Sequence, residues 1–399
     1  MKYNQKNRRI HIGIWLFCAL FSMVGILLFC GHTEKKASAA DYDKLKQQII
    51  TAYQKYETSV NVKAYKLYND TATCSKISSM FEEIMNETPY LFYNGRSFSK
   101  AIEADSNQIL TIGLEYSNLY KKNGKVDVSK IEKVKKKIHA AILSGNRYVK
   151  KNMTDVEKAM VLHDYLIRKV NYSNDGVETE CLTEAGALLK NKANCQGYAL
   201  AYKMLLKKAG IESICLSSED MDHMWNLVRI NGKWYHVDLV WDDPVYPSDQ
   251  SDRDGVVLHQ HFLLSDRAIK KTGHTGFVTG KATDKRYDKK YWRKCATTFW
   301  YQNNGFLYGT SRGIYIRKTL GSKPKQIKKA NVSCLIRSKA DTYYFIKDKK
   351  SIWLYQGKKN QYKKILTSKY PIEQLKYSGN RLKYKINKND NLYIKYKRG

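Results

Sequence analysis

The sequence predicts an α+β fold in which helices come first, an antiparallel sheet follows, and an all-β region ends the chain. Three observations carry this. Apolar residues recur at helical spacing in segments up to residue 210, an Asn231-Gly232 pair joins two apolar runs soon after, and beyond about residue 298 the composition turns to Tyr, Ile and Lys with polar turns. The expected organisation is a targeting segment at 1–40, a mostly helical region at 41–150, a central domain at 151–298 and a basic β-rich domain at 299–399. A chain of 399 residues has ample length for several units with sizeable cores.

The first 40 residues carry a targeting pattern. Lys2, Lys6, Arg8 and Arg9 precede an uncharged run over residues 12–29, and Ala37-Ser38-Ala39-Ala40 follows. This layout predicts export, with a signal peptide cut before Ala40 or with the run retained as a membrane anchor, for which 18 residues just suffice. Basic residues before the run hold its start in the cytoplasm and leave the rest outside. The expected location is secreted, cell-wall associated or membrane-anchored.

Lys and Arg number 71 against 37 Asp and Glu, a net charge of +34. Residues 299–399 hold 25 of the basic residues and 4 of the acidic ones, so the surplus belongs mainly to the tail. For an exported chain the partners such a surface selects are anionic wall polymers or a membrane surface rather than nucleic acid.

Helical periodicity places helices around residues 45–56, 77–85 and 134–143. Thr154-Asp155-Val156-Glu157 is a capping-box signature, and Val156, Met160, His163, Ile167 and Val170 then predict a helix over 155–170. A further helix starts near Cys195, with Ala199, Leu200, Leu205, Leu206 and Ala209 as its apolar stripe and Gly210 as its stop. Strands are expected over 211–216, 223–230 and 233–241, the last two forming a hairpin across Asn231-Gly232. In the tail, Gly313-Ile314-Tyr315-Ile316, Ser351-Ile352-Trp353-Leu354 and Asn391-Leu392-Tyr393-Ile394 recur 38 and 40 residues apart, which predicts a small sheet or sandwich built from repeated β units.

Acyl transfer by a thiol needs a thiolate, a base to take and return its proton, and a group that orients the base. A helix N-terminus offers the first, since its partial positive charge and free N–H groups lower a thiol's pKa and can stabilise an oxyanion. Cys195 has that expected position. With Asn231 and Gly232 as loop residues, position i faces 463 − i, so Asp238 faces Trp225 and His223 faces Val240. His223 and Asp238 are then diagonal neighbours on one face, about 7–8 Å apart. His236 shares that face, so the register leaves both histidines open as partners of Asp238.

The segments Asn194-Cys195-Gln196-Gly197-Tyr198-Ala199, His223-Met224-Trp225-Asn226, Trp234-Tyr235-His236-Val237-Asp238 and Trp241-Asp242-Asp243-Pro244 resemble bacterial transglutaminase-like domains, and residues 157–172 look like the helix that precedes them. The resemblance covers about residues 150–265. It implies a papain-like core, with Cys195 as nucleophile, His223 as base and Asp238 as the residue that orients it. It also implies acyl transfer or hydrolysis through a thioester, on protein or cell-wall peptide amides.

The other readings are plainer. Cys74, Cys181, Cys215, Cys295 and Cys334 are expected as buried apolar residues, and six cysteines beyond the targeting run make no disulfide framework. His163 reads as a core histidine, and Trp225, Trp234 and Trp241 as packing residues, one of which could wall an acyl pocket. A zinc set of Cys181, Cys195, His259 and His261 lacks any Cys-x-x-Cys pair, and no phosphate-binding glycine loop stands out, so neither metal nor cofactor is expected. The rival to an enzyme is an inert scaffold whose basic tail binds wall material.

Overall fold

The computed structural model describes residues 38–174, 180–246, 252–388 and 391–398. The apolar run at 12–29 lies outside the described residues. Among those described, no helix is long and apolar enough to cross a membrane.

Helices α1 (Ala39–Gln54), α2 (Thr71–Glu87) and α3 (Val128–Asn146) form at the three positions the periodicity indicates. Each starts on a side-chain cap, from Ser38, Asp70 and Asp127 respectively, which satisfies N–H groups that the helix itself leaves free. Between them lies a three-stranded antiparallel sheet that the sequence reading did not resolve: β1 (Ser59–Asn61), β2 (Asn94–Ile102) and β3 (Ile109–Tyr116), in the order β1-β3-β2. Two short pairs follow, β4 (Lys121–Lys122) with β5 (Lys125–Val126), and β6 (Asn171–Tyr172) parallel to β7 (Lys192–Ala193).

Helix α4 (Asp155–Lys169) carries the capping box. The Thr154 hydroxyl accepts from Glu157 N at 3.4 Å, and the Glu157 carboxylate accepts from Thr154 N at 2.9 Å. The other oxygen of this buried carboxylate accepts from Leu320 N at 2.9 Å, which ties the helix start to the tail. Helix α5 (Cys195–Lys208) begins on Cys195, with Gly210 just past its end at φ 80°.

Helix α5 packs against an antiparallel sheet of β8 (Ser213–Ser218), β9 (His223–Ile230), β10 (Lys233–Val237) and β11 (Phe262–Leu264), in the order β11-β10-β9-β8. The Asn226 amide donates to Ala199 O at 3.0 Å and pins helix to sheet. The β9–β10 hairpin has the register read from the sequence, Lys233 opposite Ile230 through Val237 opposite Asn226. Both turn residues have positive φ, 50° at Asn231 and 77° at Gly232, which explains why Asn-Gly is found there.

One expectation is corrected. The strand expected to run to residue 241 stops at Val237, and Asp238 instead caps the single-turn helix α6 (Leu239–Asp242). His223 therefore has no strand partner at Val240. The ladder ends where β10 meets a bulge in β11, with a register shift between His236 and Val237. Leu263, buried in that bulge, has φ 58°, an uncommon conformation for a leucine. Helix α7 (Asp266–Lys270) follows.

The tail folds as three successive antiparallel meanders. They are β12 (Trp300–Gln302), β13 (Gly305–Thr310), β14 (Gly313–Arg317) and β15 (Lys325–Lys329); β16 (Val332–Lys339), β17 (Thr342–Lys347), β18 (Ser351–Gln356) and β19 (Gln361–Thr367); and β20 (Ile372–Ser378), β21 (Arg381–Lys388) and β22 (Asn391–Arg398). The three repeated segments are the third strand of each meander, β14, β18 and β22. One cluster of buried side chains joins the first two sheets, around Leu307, Leu335, Tyr343 and Phe345, and another joins the last two, around Cys334, Ile346, Ile372 and Leu375. The largest cluster runs from Leu45 through the α4–α5 region to Phe299, Tyr308 and Leu320.

Candidate functional site

The start of α5 is held from both sides. The Asn194 side chain accepts from Gly197 N at 3.2 Å and closes the first turn. A Cβ on Gly197 would lie 2.4 Å from Cys181 O and 2.8 Å from Ala193 Cβ, so only glycine fits. The Gln196 side chain is gripped as well: its oxygen accepts from Arg96 Nη2 at 2.9 Å, and its nitrogen donates to Asn86 Oδ1 at 3.0 Å. Cys195, half-buried, is thereby fixed at the mouth of a helix whose first N–H groups have no intrahelical partner.

His223 opens β9 and meets this thiol as a hydrogen-bond partner. Its Nε2 lies 2.7 Å from Asp238 Oδ2, which leaves Nδ1 toward the sulfur. The ring stacks on Trp225 at 5.7 Å and 20°, with Trp241 6.0 Å away. Sequence-predicted Cys195, His223 and Asp238 thus come together in one contiguous arrangement. The diagonal relation expected on a flat strand is achieved by the turn at Asp238 instead.

Asp238 is almost fully buried yet satisfied four times. Its Oδ1 accepts from Val240 N at 3.0 Å and Trp241 N at 3.1 Å, and its Oδ2 accepts from His223 Nε2 and, at 2.9 Å, from His274 Nε2. Burial alone would raise the carboxyl pKa, but the charge of His223 and hydrogen bonds from both imidazoles hold it far below the usual carboxylate range. For His223 burial works downward. The charge of Asp238, its hydrogen bond and the contact with Cys195 outweigh it and raise the imidazole to about 10.

His236 is resolved by its partners. Its Nδ1 accepts from Trp225 Nε1 at 2.9 Å, so its Nε2 carries the proton and donates to Asp266 Oδ1 at 2.8 Å. Burial lowers it to about 4 against the pull of Asp266, and both nitrogens are committed away from the thiol. The second partner of Asp238 is His274, which lies just past α7 with its ring 4.2 Å from Trp241. The sequence reading missed it, because an isolated histidine 36 residues downstream of Asp238 carries no local signal.

A second buried network lies beside the first. Asp164 Oδ1 accepts from His163 Nδ1 and His259 Nε2, each at 2.9 Å, and Oδ2 accepts from Phe299 N at 2.7 Å. His163 Nε2 approaches Asp242 Oδ2 at 3.3 Å, an ion-pair contact without hydrogen-bond alignment, and Asp242 Oδ1 meets His261 Nδ1 at 3.0 Å. Burial opposes the charge on His163, but the two carboxylates prevail and raise it to about 9. His163 is therefore a core histidine, as expected, though one in a charged network that no local pattern displayed.

Among the described residues, two groups have the ligand spacing a cation would need, His163–Asp164–His259 and His223–Asp238–His274. In each, one carboxylate oxygen serves both imidazoles, so hydrogen bonds account for the approach. Of the remaining thiols, Cys74 is not the buried apolar residue expected: it is half-buried, with Lys100 Nζ 3.0 Å and Asn69 Oδ1 3.3 Å from its sulfur. Burial pushes Cys215, Cys295 and Cys334 up to about 12 each, as befits apolar packing.

Residues 144–239, which include Cys195, His223 and Asp238, match the family model described as Transglutaminase-like superfamily. Kyphoscoliosis peptidase of Mus musculus is 22% identical over 105 residues, covering 22% of this chain and 16% of that protein; the Homo sapiens protein of that name is 23% identical with the same coverage. The chain thus spans 16% of the length of these relatives. A solved structure described as "Crystal structure of a TGase" aligns at 16% identity and TM-score 0.25, covering 36% of this chain and 44% of that one. The N-terminal domain of Nup159 aligns at 8% identity and TM-score 0.22, covering 45% and 42%.

Proposed function

We propose that the protein is a cysteine-dependent acyltransferase or amide hydrolase in which Cys195 attacks, His223 moves the proton and Asp238 orients His223. The single observation that supports this best is the chain of contacts from thiol to imidazole to a buried, fully satisfied carboxylate. Thiolate attack on a carboxamide carbonyl forms a tetrahedral oxyanion next to the free N–H groups of the first turn of α5. Collapse forms the thioester as His223 protonates the departing amine. An incoming amine then gives a crosslink; water gives hydrolysis.

This reading takes the chain as exported and its substrates as protein or cell-wall peptide amides, from the order of basic, apolar and small residues over 2–40. It takes the basic sheets of the tail as the surface that meets anionic wall polymers or a membrane. The deciding experiment follows Cys195 labelling by iodoacetamide across pH, read by mass spectrometry, in the wild type, His223→Ala and His236→Ala. Rapid labelling at pH 6 that is lost only in His223→Ala supports the mechanism. Slow labelling with an ordinary thiol profile in all three sinks it and favours the inert scaffold.

A further inference from the structure

Where the end of α3 and the face of α4 meet β12 and β16, the protein encloses a cavity of about 360 Å³ that includes none of Cys195, His223 or Asp238 in its walls. Four cations face it: Arg147 and Lys150 at an exposed mouth, Arg168 and Arg337 further in. Two guanidiniums share one aromatic floor. Arg168 sits 4.1 Å from the Trp300 ring and 5.7 Å from Tyr148, and Arg337 sits 4.9 Å and 5.8 Å from the same two rings.

What compensates these charges is the informative point. Arg168 Nε donates to Asp164 O at 2.9 Å and its guanidinium meets Tyr148; Arg337 meets Tyr343; Lys150 Nζ donates to Arg147 O at 2.6 Å. These acceptors are neutral. The one carboxylate in the wall, Asp164, is committed to His163, His259 and Phe299 N. Four cations against one committed carboxylate leave the cavity about three charges positive. Burial presses hardest against the ionised form of Arg168; Tyr148 and the Asp164 charge favour that form, and the like charge of Arg337 opposes it. Holding two guanidiniums side by side in a half-enclosed site, with Asp164 as the one nearby carboxylate and that shared with two imidazoles, is costly, and a bound anion lowers that cost.

We propose that this cavity binds a phosphate ester carrying at least two negative charges, held by Arg168 and Arg337 with Arg147 and Lys150 at the entrance. Guanidiniums match phosphate oxygens in bidentate fashion, and the volume admits a substituted phosphate rather than a bare ion alone. The inference stands apart from the thiol chemistry. Because the walls come from both α4 and the tail sheets, occupancy would also brace that junction against unfolding.

The test is isothermal titration of the full chain with inorganic pyrophosphate, with glycerol phosphate and, as a carboxylate arm, with citrate. Thermal unfolding is measured alongside. Saturable binding of the phosphate compounds that raises the melting temperature is expected, weakened at least tenfold in Arg168→Gln and three- to tenfold in an Arg147→Gln, Lys150→Gln double variant, and unchanged in Cys195→Ala. The double variant alters only exposed side chains, so it carries the test if Arg168→Gln does not fold. Absence of saturable phosphate binding, or binding equal in all variants, overturns the proposal. Citrate binding through these residues in place of phosphate overturns the ligand class.

Discussion

Replacing Asp238 with Asn removes a charge while keeping the side chain's shape, and the structure indicates how much that should matter. The carboxylate has four donors: two backbone N–H groups and two imidazoles. An amide has one acceptor oxygen. If that oxygen stays on Val240 N and Trp241 N, the amide N–H₂ faces His223 and His274, and His223 must present a bare Nε2. Its proton then moves to Nδ1, toward the thiol, where it blocks proton acceptance from Cys195. A unit charge roughly 4 Å from the ring, at an effective dielectric constant of about 20, is worth about 4 kcal/mol, or close to a thousandfold in the protonation equilibrium of His223. Part of that loss will be recovered by rearranged hydrogen bonds, so alkylation of Cys195 at pH 6 should fall about a hundredfold in Asp238→Asn. Iodoacetamide labelling with mass-spectrometric site assignment measures this, with circular dichroism to show that the fold is kept. A folded variant that labels within twofold of the wild type would refute the reasoning.

Three further outcomes are expected. His236→Ala should leave Cys195 labelling within about twofold but strand the Trp225 indole N–H in the core, for a loss of about 1–3 kcal/mol in urea unfolding. Gly197→Ala forces a methyl group against Cys181 O and should displace the start of α5, lowering both the melting temperature and Cys195 labelling; a variant as stable as the wild type would contradict the packing. His163, raised in the folded state to about 9 from an ordinary imidazole value of 6.5, contributes stability fully below pH 6.5 and loses it as pH climbs through 9. The stability gap between wild type and His163→Gln should therefore shrink by about 3 kcal/mol across that window in urea melts at successive pH values.

What the sequence displayed is local chemistry, and what it hid is contact at a distance. Asn231-Gly232 set the β9–β10 register because a two-residue turn leaves no freedom, and Thr154 marked a helix start because capping is a matter of three or four residues. Cys195 could be placed from the apolar stripe and terminal Gly210 of its helix, His223 from the hairpin register, and Asp238 nearly so. The choice between His223 and His236 needed the indole of Trp225 and the carboxylate of Asp266 to occupy His236, and the latter lies 30 residues away. Arg96, which steadies the residue after the thiol, comes from β2, 100 residues upstream. The Asp164–His259 contact spans 95 residues. The strand end at Val237 was hidden too, since Asp238 stops the strand by taking two backbone N–H groups that an alternating pattern does not reveal.

The continuous cluster of buried side chains from Leu45 to Leu320 has a mechanical consequence. Heat or denaturant should take the early helices, the thiol-bearing helix and the first tail meander in a single cooperative step, while the later sheets, held by smaller clusters of their own, can open at lower free energy. Amide exchange should accordingly be slow and uniform through α4, α5 and β13 and graded toward β21. Cys195, His223 and Asp238 would then sit inside the last part of the molecule to melt, with much of the basic surface mounted on the part that yields first.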